Sequence, residues 1–136
     1  MAETFSNFLT KFNASSGLKQ IIVPEANGEA STSPLGMRQK HAITQIHSLY
    51  ITKEQSGSIV TDIANNAVYI NLVITDNSTG STYYLGHNLK IVPYSPFYIE
   101  KTITLLPRQS LSIEYPSTNG NKSSVLHCVC SGVDIV

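Results

Sequence analysis

The sequence predicts an all-β domain, an antiparallel β-sandwich of about seven to eight strands, jelly-roll-like or Ig-like, with a short N-terminal helix or arm. Three observations predict it. Apolar residues fall on alternate positions through most of the 136 residues, the period that gives a pleated strand one apolar face. Proline, glycine and Asn/Asp clusters interrupt that alternation at about the 8–12-residue spacing of sandwich and barrel sequences. Helical spacing is confined to a short stretch near the N-terminus. The length suits a single domain that buries roughly two-thirds of its unfolded surface.

In chain order, Phe5, Phe8, Leu9 and Phe12 stand at i, i+3, i+4 and i+7 behind Thr4, which is placed to cap a first turn, so residues 4–13 read as an amphipathic helix. Two or three helical turns are marginal alone, and residues 1–17 are therefore expected to dock as an arm. With three of the chain's four Phe in that arm, another subunit is the expected docking place, and a lid over one end of its own sheet is the alternative. The sandwich itself is expected over 18–136. Residues 18–23 make a short strand stopped by Pro24, and 24–40 a long polar loop carrying Pro34 and Leu35, suited to contact with a partner. Residues 41–52 are apolar on both faces, with Ile43, Leu49 and Ile51 on one and Ala42, Ile46 and Tyr50 on the other, which places them mid-sheet. Residues 53–66 are a polar excursion in which Ile59, Val60 and Ile63 could cover an edge.

The clearest element is a hairpin over 67–91. Val68, Ile70, Leu72 and Ile74 alternate up to Asp76-Asn77-Ser78-Thr79-Gly80, whose residues tolerate the backbone of a reversal, and Tyr83, Leu85, Leu89 and Ile91 continue beyond it. Pro93 and Pro96 break the pattern, and Phe97, Ile99, Ile103 and Leu105 restart it until Pro107. Leu111, Ile113 and Tyr115 form the next strand, closed by Pro116 and a turn at 117–121, and Val125, Val129, Val133 and Ile135 mark the last.

Charged residues are only 13% of the chain, nine basic against nine acidic, so no electrostatic footprint for nucleic acid or an anionic membrane is present and the expected partners are proteins. So little net repulsion suits a subunit of an assembly. No run of 18 apolar residues could span a bilayer, and the N-terminus lacks the order of a secretory signal, so synthesis in a cytoplasm is expected.

Chemistry-bearing motifs are scarce. Cys128 and Cys130 share one face of a strand with Cα atoms roughly 6.5–7 Å apart, at the limit of an unstrained disulfide, and His127 points to the other face; two buried, reduced core thiols are the expectation. His41 and His47 lie on one strand face ~20 Å apart, too far to share an ion. Neither a nucleophile elbow nor a phosphate-cradling glycine motif occurs, so no catalytic residue, cofactor or metal site is expected. The aromatics Tyr83, Tyr84, Tyr94 and Tyr98 could stack on sugars, or place one ring of each pair in the core and the other at a subunit contact.

From about residue 43 onward, the order of strand, VYINLVITDNSTGSTYYLGHNLKIVP, aromatic-apolar strand, ITLLPRQSLSIEY, short turn and VLHCVCSGVDIV resembles small β-sandwich virion structural proteins of tailed bacteriophages. Pro107-Arg108 stands where such proteins usually carry a glycine. The resemblance implies a non-enzymatic subunit in a virion, made in a host cytoplasm. It would decorate or cement a capsid or form a collar or adaptor at the head–tail junction, with capsid, portal or tail proteins and further copies of itself as partners. A carbohydrate- or receptor-binding module on a tail or fibre is the alternative. The expected interface residues are Phe5, Phe8, Leu9 and Phe12 of the arm, Pro34 and Leu35 of the loop, and Tyr94, Phe97 and Tyr98.

Overall fold

The computed structural model describes residues 3–15, 17–26, 38–54, 67–93, 95–120 and 124–136. Within them the strands are β1 (Glu3–Ala14), β2 (Lys19–Val23), β3 (Ile43–Lys53), β4 (Val68–Asp76), β5 (Ser81–Ile91), β6 (Phe97–Ile99), β7 (Ile103–Leu105), β8 (Gln109–Glu114) and β9 (Ser124–Ile135). One sheet runs β1-β9-β3-β6 with β7 also on β3, the other β2-β8-β4-β5, and every pair is antiparallel.

The pairing is that of one long hairpin rolled up, with β1 on β9, β2 on β8, β3 on β6 and β7, and β4 on β5, alternating between the sheets. With β6 and β7 as two halves of one strand, this is an eight-stranded jelly roll. It excludes the Ig-like arrangement, whose sheets follow a different strand order. The split has a local cause. β7 faces Thr44–Ile46 and β6 faces Leu49–Ile51, and between them β3 carries a bulge after Ile46, where the His47 ring meets the Thr102 hydroxyl at 3.4 Å. The expected seven to eight strands therefore become nine segments.

No helix forms at the N-terminus. Residues 3–14 pair along their whole length with β9, from Glu3 opposite Ile135 to Ala14 opposite Ser124. The helical spacing was ambiguous because Phe8 and Phe12, four apart, also share a strand face, as do Phe5 and Leu9. A two-turn helix cannot compete with twelve residues of ladder on a central strand. β1 is thus part of the sandwich: Phe8 and Ala14 are in its core, and Phe12 packs partly against it.

The core fills the space between the sheets with Ile22, Val23, Ile46, Leu49, Ile51, Ile70, Leu72, Ile91, Leu105, Leu111, Ile113, Tyr115, Leu126, Cys128 and Cys130 among others. The bulge at His47 shifts the parity of β3, so Ile46 joins Leu49 and Ile51 inside while Ile43 turns outward, a correction to the faces expected from simple alternation. Two register shifts around Leu72 act likewise on β5: Leu89 packs on the core and Ile91 is buried, but Tyr83 and Leu85 are exposed. Gly132 sits against the β3 bulge, where an added Cβ would lie 2.3 Å from the Gln45 carbonyl oxygen.

The loop after β2 is tied down at Arg38, which is 4% exposed. Its guanidinium donates to five backbone carbonyls, those of Pro24, Ala42, Leu105, Leu106 and Gln109, while its Nε donates to the Thr44 hydroxyl at 2.6 Å. Thr44 in turn donates to Asp134 Oδ1 at 2.6 Å, and the Gln39 amide donates to Oδ2. One side chain thereby joins the ends of both sheets. Burial lowers the Arg38 pKa to about 10, opposed by Asp134 and Glu25, so it remains a cation at neutral pH. A loop expected to face a partner is, at this residue, fastened to its own sandwich.

Candidate functional site

Among the described residues, the outer face of the β1-β9-β3-β6 sheet carries a set of exposed apolar side chains in cross-strand register. Their positions follow from what the core takes. Phe8 and Thr10 point inward and leave Leu9 outside; Cys128 and Cys130 do the same for Val129, and Leu49 and Ile51 for Tyr50. The ladders then align Leu9 with Val129, Val129 with Tyr50, and Tyr50 with Tyr98. Leu9 (58% exposed), Val129 (41%), Tyr50 (42%) and Tyr98 (55%) make one row across four strands. The Tyr50 and Tyr98 rings stack at 5.9 Å between centroids.

Polar rows flank this one. On one side Lys11, His127 and Thr52 align, and Glu54 accepts from His127 Nε2 at 2.8 Å and lies 3.9 Å from Lys11 Nζ. The His127 hydrogen bond and then the Lys11 charge hold the Glu54 carboxyl below its usual range. On the other side Asn7, Ser131 and Ser48 align, with Ser131 Oγ donating to Asn7 Oδ1 at 2.8 Å. Beyond that row Phe5, 89% exposed, stands beside Val133. An apolar centre with a hydrogen-bonded and charged rim is the anatomy of a protein-binding surface.

Of the residues singled out in the sequence, Phe5, Leu9 and Tyr98 lie on this face. Phe8 is in the chain's own core, while Phe12 and Phe97 are partly buried against it. Pro34, Leu35 and Tyr94 fall outside the described residues, as do Ile59, Val60 and Ile63 of the 53–66 excursion. Tyr50, Val129 and Val133 were not singled out; the signal for them was apolar residues of both parities on β3 and β9, which reads equally well as burial on two sides.

Tyr83 and Tyr84 are both exposed on β5, the end strand of the other sheet, and Tyr84 stacks on His87 at 4.2 Å. Neither ring of that pair is in the core, and neither shares a sheet with Tyr98. Cys128 and Cys130 are free thiols in the core, and contact with Cys130, together with burial, raises the pKa of Cys128 far above its ordinary value. His127 does point to the opposite face, toward Glu54. Among the described residues no cluster of three or more His, Cys, Asp or Glu could hold a metal ion, and no helix is long and apolar enough to cross a membrane.

No family model and no curated protein matches the chain. Among solved structures, a single-particle structure of Maize Chlorotic Mottle Virus is similar over 98% of this chain and 93% of that one, at 10% identity and a TM-score of 0.36. A likeness at that level carries no argument about function.

Proposed function

We propose that this chain is a non-enzymatic structural subunit of a virion, which assembles with further copies and with other virion proteins through the outer face of the β1-β9-β3-β6 sheet. The observation that carries the reading is the row Leu9, Val129, Tyr50 and Tyr98, apolar, continuous over four rigidly paired strands and bounded by polar rows. Aromatic and aliphatic anchors ringed by polar groups are where binding free energy concentrates. The jelly roll is a fold used by capsid proteins but also by lectins, so it supports the reading only by analogy. A place on a tailed-phage capsid or at its head–tail junction follows from the sequence resemblance.

The test is sedimentation velocity on the purified chain over a concentration series, beside a Tyr50→Ser, Val129→Ser, Tyr98→Ser variant. The proposal expects association of the wild type, lost in a variant whose melting temperature stays within a few degrees. Equal association in both would rule out this face.

The exposed Tyr83 and Tyr84, with Tyr84 stacked on His87, favour a second reading as a glycan-binding module, since exposed rings stack on sugar faces. That reading requires glycan-array binding that a Tyr84→Ala change abolishes.

A further inference from the structure

We infer that a second copy of this chain pairs antiparallel with the outer edge of β1, about a two-fold axis through Asn7, joining two four-stranded faces into one continuous sheet. The inference rests on the assembly reading and names its partner. Among the described residues β1 is the end strand of its sheet, paired on one side by β9. A strand in that position turns half of its backbone N–H and C=O groups away from its neighbour, and proteins usually blunt such edges with proline, bulges, inward charges or a short strand. β1 has neither proline nor bulge, since its twelve residues keep an unbroken register with β9, and its only two charges, Glu3 and Lys11, are of opposite sign and face outward.

The sequence of the edge is complementary to itself in one register. Antiparallel pairing about Asn7 sets Glu3 opposite Lys11 and Phe5 opposite Leu9, each twice by symmetry, with Asn7 opposite Asn7. All of these residues are exposed and share the outer face. Opposite charges thus meet, and Phe5, the most exposed large apolar side chain described, gains the partner it lacks within its own chain beyond Val133. Moving the register by two residues either way separates Glu3 from Lys11. The existing tie of Lys11, to Glu54 at 3.9 Å with both side chains about half or more exposed, is weak, so Lys11 can turn from it to Glu3 of the second copy at little cost. The joined sheet also lengthens the docking face, because the row Tyr98, Tyr50, Val129, Leu9 runs on into Phe5 and Val133 of the second copy.

Single cysteines read the register directly. A residue on the axis meets its own copy, so mild oxidation of the full chain carrying Asn7→Cys should give a disulfide-linked dimer as the main species. Asn13→Cys, on the same face of the same strand but off the axis, and the wild type, whose two thiols are buried, should stay unlinked. Lys11→Glu places like charges opposite each other at two symmetric positions and should weaken dimerisation on the order of 10-fold; adding Glu3→Lys should restore it. Both variants place a carboxylate at position 11 beside Glu54, so the recovery isolates the pairing with residue 3. Asn7→Cys and Asn13→Cys linking equally, or Asn7→Cys remaining unlinked, would overturn the inference. In the unlinked case, a chain that still associates and loses that association on changing Tyr50, Val129 and Tyr98 keeps the assembly reading. A chain that stays monomeric, its edge taken by a strand from another protein or by nothing, overturns the self-pairing outright.

Discussion

At the scale of single residues, Arg38 carries more of the fold than any exposed anchor does. Removing a guanidinium that satisfies five backbone carbonyls, and that stands with Thr44 beside buried Asp134, leaves several acceptors and a carboxylate uncompensated. Arg38→Ala should cost about 3–5 kcal/mol in urea unfolding, the loss expected for breaking a buried charged network by one partner. Arg38→Lys should recover little, because an ammonium cannot reproduce the planar fork. Gly132→Ala should cost about 1–3 kcal/mol by overpacking, at the upper end because its clash is with the Gln45 backbone and not with a yielding side chain. Asp76 gives a pH-dependent counterpart. The Ser78 hydroxyl and amide and the Gln109 amide hold its carboxyl below the ordinary 3.8. The unfolded chain then binds the proton more readily than the folded one. Its stabilisation of the β4–β5 turn is accordingly present above 3.8 and is lost as pH falls through the lowered folded value. Acid titrations of wild type and Asp76→Asn should converge at the low end of that window.

At the scale of elements, β1 shows how far alternation alone can be read. Phe8→Ala should cost about 3–5 kcal/mol, as for a large aromatic removed from a core, and deleting residues 2–17 should prevent the isolated domain from folding, since β9 would lose the strand on one of its sides and the core would lose Phe8 and Ala14. Phe5→Ser and Leu9→Ser should change stability by about 0.5 kcal/mol or less each while weakening association. Thermal melts together with sedimentation separate the two effects. The β4–β5 hairpin and β8 were legible because a run of one parity ended in an unambiguous turn; β9 was legible as a strand, but the run read for it, Val125, Val129, Val133 and Ile135, lies on the outer face while Leu126, Cys128 and Cys130 fill the core. β1 was not legible, because a two-sided strand of ten or so residues gives Phe and Leu the same spacings as a short helix. The outward turn of Ile43 and the exposure of Tyr83 and Leu85 were hidden for another reason: a bulge adds one residue to the count and leaves no mark in composition. Arg38 was hidden because its partners are backbone carbonyls far away along the chain.

At the scale of the whole molecule, the rolled hairpin brings two exposed pairs of tyrosines to different sheets, Tyr50 and Tyr98 on one and Tyr83 and Tyr84 on the other. The candidate site was legible in part, since Phe5, Leu9 and Tyr98 stood out as exposed-type anchors, but the row they belong to is a product of register between strands distant in sequence. Hydroxyl-radical footprinting of the free chain against the assembled particle decides whether the outer face of the β1-β9-β3-β6 sheet is the assembly surface. Tyr50, Tyr98 and Phe5 should be oxidised in the free chain and protected on assembly, while Tyr83 and Tyr84 react equally in both. Undiminished oxidation of Tyr50 and Tyr98 in the particle, with protection appearing instead at Tyr83 and Tyr84, would contradict that role for the face.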